Sequence, residues 1–123
     1  MILLDSNIII YLTDGENTRL QEYVSRQMVG ASIITLVEVL GFHGLSDRDK
    51  STFEAFFEVC TVHPLSSEIA ERAVRLRQTR KIGLGDSIVA ATALVHDLTL
   101  ATRNTKDFRW IESLVLIDPF DEA

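Results

Sequence analysis

The chain has 123 residues, a formal net charge of −6 and a single cysteine, enough length for one domain around one hydrophobic core. No apolar run approaches the ~20 residues of a membrane span, and no basic segment precedes the apolar N-terminus, which argues against a secretory signal. Cys60, without a second cysteine, rules out an internal disulfide and a paired-cysteine zinc site, and it reads as a small core residue; a reducing cytoplasm is the expected compartment.

Along the chain, Ile2–Leu4 reads as a short strand buried on both faces, as in a parallel sheet. Asp5 or Ser6 can cap a following helix through Ile8–Leu12, although the β-branched Ile8-Ile9-Ile10 could instead prolong the strand. Asp14-Gly15-Glu16-Asn17 is a turn. Leu20, Tyr23, Val24 and Met28 mark an amphipathic helix over Thr18–Met28. Ala31–Ile34 is a second strand, and Thr35 opens a helix carrying Val37, Glu38 and Leu40. After a break at Gly44–Asp47, Lys50–Val59 is a helix with Phe53, Phe56 and Phe57 on its apolar side. Thr61–His63 is a brief strand stopped by Pro64. Ser66–Lys81 is a long helix with Ile69, Ala73 and Leu76 inside. Gly83-Leu84-Gly85 turns into a helix over Asp86–His96, whose Ala90, Ala91 and Ala93 permit close packing. Strands at Leu98–Thr102 and Leu114–Ile117 follow. Alternating strands and helices predict an α/β fold with a mainly parallel central sheet flanked by helices.

Several acids stand where that fold would gather them. In an open α/β sheet, ligands bind beyond the carboxyl ends of the strands. Asp5 ends the first strand, Glu38 lies one turn into the helix after the second, Asp86 opens a helix after a glycine turn, and Asn104 and Asp107 follow a late strand. Each has a competing structural role. Glu38 follows Thr35 at capping-box spacing, Asp86 is a natural helix cap, and Asp107 could be a turn residue. Asp5, in the middle of an apolar segment, is the hardest to explain structurally, because an ionised carboxylate in a core needs compensation. Two carboxylates about 4 Å apart repel by about 4 kcal/mol at an effective dielectric of about 20. Several brought together call for a cation or a proton, and all-oxygen donors select a hard ion such as Mg²⁺ or Mn²⁺.

The negative net charge is not that of a simple nucleic-acid coat, yet Arg72, Arg75, Arg77, Arg80 and Lys81 cluster with no acid between Glu71 and Asp86. Arg72, Arg75 and Arg80 on the outer helix face are candidates for a nucleic-acid backbone, against the alternative of a solvated face. Arg103, beside the acids, is a candidate for gripping a phosphate or for serving as internal counter-charge. Phe108 and Trp110 read as packing, or as a rim where a base could stack. His43, His63 and His96 share no metal-ligand spacing.

Asp5-Ser6-Asn7 after an apolar strand, Glu38 behind Ile33-Ile34-Thr35, Asp86 within Gly83-Leu84-Gly85-Asp86-Ser87-Ile88-Val89-Ala90-Ala91-Thr92-Ala93, and Thr102-Arg103-Asn104-Thr105-Lys106-Asp107-Phe108 together resemble the PIN-domain family. The closest flavour is the VapC-type toxin ribonuclease of toxin–antitoxin pairs. The resemblance implies a single three-layer PIN-like domain over residues 1–119, with 120–123 as a C-terminal tail. It also implies an Mg²⁺- or Mn²⁺-dependent endoribonuclease leaving 5′-phosphate and 3′-hydroxyl ends. The metal ligands would be Asp5, Glu38 and Asp86. The fourth acidic position falls at Asn104, a departure that Asp107 could make good. Ser6, Asn7 and Thr102 would support the ligands. The expected partners are RNA, a second copy of the chain and a small antitoxin lying in a groove near the acids. The competing function is a PIN-fold module that has lost efficient catalysis through Asn104 and only binds RNA or protein.

Overall fold

The computed structural model describes residues 1–15 and 17–122. Glu16, in the expected turn at 14–17, and Ala123, the end of the expected tail, lie outside the described residues.

Five short parallel strands form the centre: β1 (Ile2–Leu4), β2 (Val29–Ser32), β3 (Thr61–His63), β4 (Thr99–Ala101) and β5 (Leu116–Ile117), in the order β3-β2-β1-β4-β5. The helices are α1 (Ser6–Thr13), α2 (Thr18–Ser25), α3 (Ile33–Leu40), α4 (Asp47–Val59), α5 (Ser67–Thr79), α6 (Leu84–His96), α7 (Thr105–Phe108) and α8 (Pro119–Glu122). Parallel pairing requires crossovers, and the intervening helices supply them on both faces of the sheet.

Side-chain alternation in β1 divides the core. Ile2 and Leu4 face one way, into a cluster with Ile8, Ile9, Leu20, Val24, Val39, Phe53 and Phe57 from α1 to α4. Leu3 faces the other way, towards Val89, Ala90 and Ala93 of α6, with Phe108 and Ile111. Ile88 and Ala91 of α6 pack on Ile69 and Ala73 of α5, so the alanine stripe serves helix–helix as well as helix–sheet contact. Cys60 is buried in the first cluster, and burial pushes its thiol up to about 11, as suits an inert core residue.

Several boundaries differ from the sequence reading; α4 starts at Asp47 rather than Lys50, for example, and β5 at Leu116 rather than Leu114. The strand expected at Ala31–Ile34 is displaced to Val29–Ser32, because Ser32 caps the next helix by accepting a hydrogen bond from the Ile34 amide at 3.2 Å. Ile33 and Ile34, with strand-like side chains, are therefore helical; the cap overrides β-propensity. The helix from Thr18 stops at Ser25 rather than at Met28, and Met28 is 72% exposed, so it is no part of the buried stripe. Asp107, for which a turn over residues 104–107 is the competing role, lies instead in the single-turn helix α7.

β1 sits where the strand order reverses, with β2 on one side and β4 on the other. The cleft beyond the carboxyl ends of β1 and β4 is thus the topological switch point, where open parallel sheets place their ligands.

Candidate active site

Asp5 leaves the end of β1 directly into this cleft and is only 6% exposed. It caps α1: its Oδ1 accepts from the Ser6 amide at 2.8 Å. Its Oδ2 accepts from the Thr102 hydroxyl, also at 2.8 Å, just beyond β4. Thr102 Oγ1 in turn accepts from the Asn104 amide at 3.1 Å. The two central strands thereby lock one carboxylate in place. Asn7 bridges the same strand ends, its Oδ1 accepting from the Arg103 amide at 3.5 Å.

Neither cap reading of the other two acids holds. Thr35 lies inside α3, because the helix already starts at Ile33 under the Ser32 cap, so Thr35 and Glu38 form no capping box. Asp86 is the third residue of α6, whose cap position is Gly83, and it makes no capping hydrogen bond. Both carboxylates are left for the cleft. Gly85 explains how they fit together: a Cβ built there would stand 2.9 Å from Glu38 Oε2 and 3.4 Å from its Cδ. The bare first turn of α6 is the seat on which the Glu38 carboxylate rests. The glycine pair reads in sequence as a turn signal, which conceals this second use.

The electrostatics tie the acids together. Burial raises the pKa of Asp5, its two hydrogen bonds oppose that, and the charge of Asp107 raises it again. Desolvation, then Asp5, then Asp86 raise Glu38. Desolvation, then Asp5, then Asp107 raise Asp86. Asp107 on α7 therefore belongs to the same field, whereas the neutral Asn104 is exposed and makes no side-chain capping bond. Among the described residues the one salt bridge is Arg26–Glu22 on α2, so no basic side chain compensates the cluster by direct pairing.

Hard oxygen donors, mutual repulsion and no pairing base together suit a divalent cation. Thr35 Oγ1, one turn before Glu38 on the same face of α3, is also buried without a hydrogen-bond partner. Among the described residues no three His, Cys, Asp or Glu side chains are already arranged as a ligand set. The exposed Glu38 and half-buried Asp86 would have to close on the fixed Asp5.

The basic candidates separate. Arg103 is not turned to the acids: its guanidinium lies 4.0 Å from the centre of the Phe120 ring and 5.4 Å from that of Tyr11. Arg80 borders a cavity shared with Asp86 and Asp107, whereas Arg72 and Arg75 lie further back on α5, outside its lining. His63 and His96, unrelated by spacing, come together with ring centres 4.5 Å apart, and burial followed by the His96 charge lowers His63.

Residues 2–112 match the model of the PIN domain family. The chain belongs to the PIN domain family. The protein named Ribonuclease VapC10 from Mycobacterium tuberculosis is 33% identical over 122 residues, covering 93% of this chain and 90% of that relative. Among solved structures, a toxin-antitoxin complex from Klebsiella pneumoniae contains a chain 33% identical, with a TM-score of 0.81 over 97% of this chain and 98% of that one. VapBC-1 from nontypeable Haemophilus influenzae gives 29% identity and a TM-score of 0.83 over 98% of this chain and 99% of that one. The expected α/β PIN architecture is thus met, with a sheet that is wholly rather than mainly parallel.

Proposed function

We propose that this PIN-domain protein is a divalent-metal-dependent endoribonuclease and the toxin member of a toxin–antitoxin pair. What supports the reading is the electrostatic coupling of Asp5 with Glu38, Asp86 and Asp107, together with the seat of Glu38 on Gly85 beside Asp86 and, among the described residues, no basic side chain in direct pairing with them. The names of the relatives give the substrate class.

Asp5, Glu38 and Asp86 would hold Mg²⁺ or Mn²⁺, with Asp107 supplying the fourth charge that Asn104 does not. A bound cation would supply Lewis acidity towards a phosphate oxygen and acidify a water. The protein's own part is positional. Asp5 is immobilised by Ser6 and Thr102, so it fixes where the charge centre lies. Glu38, exposed at the rim and seated against Gly85, would close on that fixed centre from the α3 side. The alternative of a silent binding module rests on Asn104, and the proximity of Asp107 to Asp5 and Asp86 weighs against it.

An apolar groove of about 320 Å³ opens beside the acids, lined by Ile10, Val39, Phe42, Leu45 and Phe53 with Glu38 at its edge. Phe42 is 68% exposed and Ile10 52%. This groove suits the apolar segment of an antitoxin, from which an arginine could pair with the cluster and oppose metal binding. No described helix is long and apolar enough to cross a membrane. A cytoplasmic location and a homodimer complete the proposal.

The test is cleavage of structured RNA by the purified protein with Mn²⁺ and with EDTA, alongside Asp5→Ala and Asp86→Asn. Cleavage that needs Mn²⁺ and is lost in both variants supports the reading. Cleavage surviving in either variant overturns it, and failure of Mn²⁺ to bind in calorimetric titration would favour the silent module.

A further inference from the structure

A second cavity, of about 270 Å³, shares a wall with the acid cluster. Asp86 and Asp107 form one side, and Arg80, Lys81, Lys106 and Trp110 are among the residues of the rest. We propose that it is a nucleotide subsite for single-stranded RNA, in which one base next to the cut stacks on Trp110 while Arg80, Lys81 and Lys106 hold the flanking phosphates. The inference rests on the ribonuclease reading for its substrate and refines it to a strand type and a position.

Three observations support it. The first is charge: three cations crowd one cavity in a chain of net charge −6. Among the described residues none of them forms a salt bridge, although two carboxylates line the same space. Unpaired cations beside a phosphate-cutting site are suited to backbone oxygens, which need no fixed pairing geometry from lysine. The second is the ring. Trp110 is half-buried, one side packed on the cluster around Phe108 and Ile111. The Arg80 guanidinium covers it at 5.6 Å from the ring centre, and Arg80 is itself exposed. An arginine on an exposed side chain can swing to a phosphate and yield the ring face to a base, or stay and extend the stack. The third is orientation. Trp110 Nε1 donates to the backbone carbonyl of Asp107 at 3.0 Å, so the residue supplying the fourth acid also sets the plane of the indole. Stacked base and reacting phosphate would be registered by one short segment, α7 and the residues after it.

A duplex keeps its base faces internal, so a stacking platform of this kind selects unpaired nucleotides. Stacking accepts every base but favours the larger π-face of a purine, which predicts a purine preference at one position beside the cleaved bond. The competing role is mechanical: Arg80 and Trp110 would merely clip the segment between α5 and α6 against α7.

Trp110 is the single tryptophan, so intrinsic emission reports on this ring alone. The wild-type protein in EDTA is titrated with an oligopurine ribonucleotide of about eight residues, and with an abasic ribose-phosphate strand of equal length and charge. Saturable quenching by the first and little by the second is expected. Equal quenching by both, or none by either, overturns the proposal. In Mn²⁺, Trp110→Leu should raise KM for single-stranded RNA about tenfold, while Trp110→Phe stays within about threefold. An unchanged KM in Trp110→Leu overturns it as well. Lys81→Gln and Lys106→Gln should each reduce the salt slope of strand binding by about 0.7. If the wild type cuts no RNA while base-dependent quenching persists, the nuclease reading fails and the subsite stands; cleavage without such quenching has the reverse meaning.

Discussion

Gly85→Ala isolates the seating of Glu38 from the stability of the fold. The added methyl would meet Glu38 Oε2 at 2.9 Å, and ordinary contact begins near 3.4 Å, so the carboxylate must withdraw by at least the 0.5 Å between them. Nothing resists the withdrawal, because Glu38 is exposed and the contact is the end of a flexible side chain. Nor should the backbone object: no positive φ is recorded for Gly85, and alanine is the better helix former by up to about 1 kcal/mol. The melting temperature is therefore expected to hold or rise. Metal binding should suffer, since Mg²⁺ tolerates little departure from its octahedral geometry and displacing a supporting residue typically costs about tenfold or more in affinity. Calorimetric titration with Mn²⁺ and thermal melts with and without the ion measure the two effects separately. Gly83→Ala is the control: a Cβ there meets nothing within 4 Å, so it should weaken the cap of α6 and leave metal affinity alone. Wild-type Mn²⁺ affinity and cleavage in Gly85→Ala would refute the idea that Glu38 works from this seat.

Asp107→Asn should weaken Mn²⁺ binding about tenfold while slightly stabilising the metal-free protein, because one repelling charge is removed from Asp5 and Asp86; destabilisation of the metal-free form in a thermal melt would count against that account. Thr102→Val keeps the side-chain shape but removes the donor to Asp5 and the acceptor for the Asn104 amide, and should cost about 2 kcal/mol in urea unfolding. The folded-state pKa values of Asp5, Glu38 and Asp86 are raised, so their ionisation destabilises the metal-free fold above those values, and the penalty fades as pH falls through them towards the ordinary carboxylate range. A divalent ion should substitute for those protons: the rise in melting temperature on adding Mn²⁺ should be large at pH 7.5 and shrink towards pH 5, and a pH-independent rise would contradict the sign.

Much of the candidate site's placement on the fold was legible because topology sets those positions. An acid at the end of a buried apolar run can only emerge at the strand's carboxyl edge, so Asp5 was placed by the pattern Ile2–Leu4 alone. The sequence left open whether Ile8-Ile9-Ile10 was strand or helix; the Asp5 cap decides it, since α1 starts at Ser6. Capping also explains the main misplacement. Ser32 and Thr35 are both plausible caps, and the choice of Ser32 starts α3 at Ile33 instead of Leu36 and frees Glu38 from a capping role. Neither Gly85 as a seat nor the Arg80–Trp110 stack had a local signal, because each depends on elements joined only by tertiary packing. The meeting of His63 and His96 is of the same kind.

The same layout resolves an apparent conflict between an acidic protein and an anionic substrate. Without metal, the charges of the four carboxylates weaken the hold of the adjoining cations on a phosphate without abolishing it. One divalent ion cancels the formal charge of two of them, after which Arg80, Lys81 and Lys106 weigh more heavily in the adjoining cavity. Metal and RNA should then bind cooperatively, and linkage requires the enhancement to be mutual. A short 5′-phosphorylated product strand, too short to be cut again, makes this measurable at equilibrium. Its affinity should rise severalfold from EDTA to saturating Mn²⁺, and Mn²⁺ should bind tighter by the same factor in its presence. In Asp107→Asn, where one repelling charge is already gone, the gain should be smaller. Strand affinity that is unchanged or falls with Mn²⁺ would mean that the acids do not control access of RNA to the cleft, and that the basic side chains bind it independently of the site beside them.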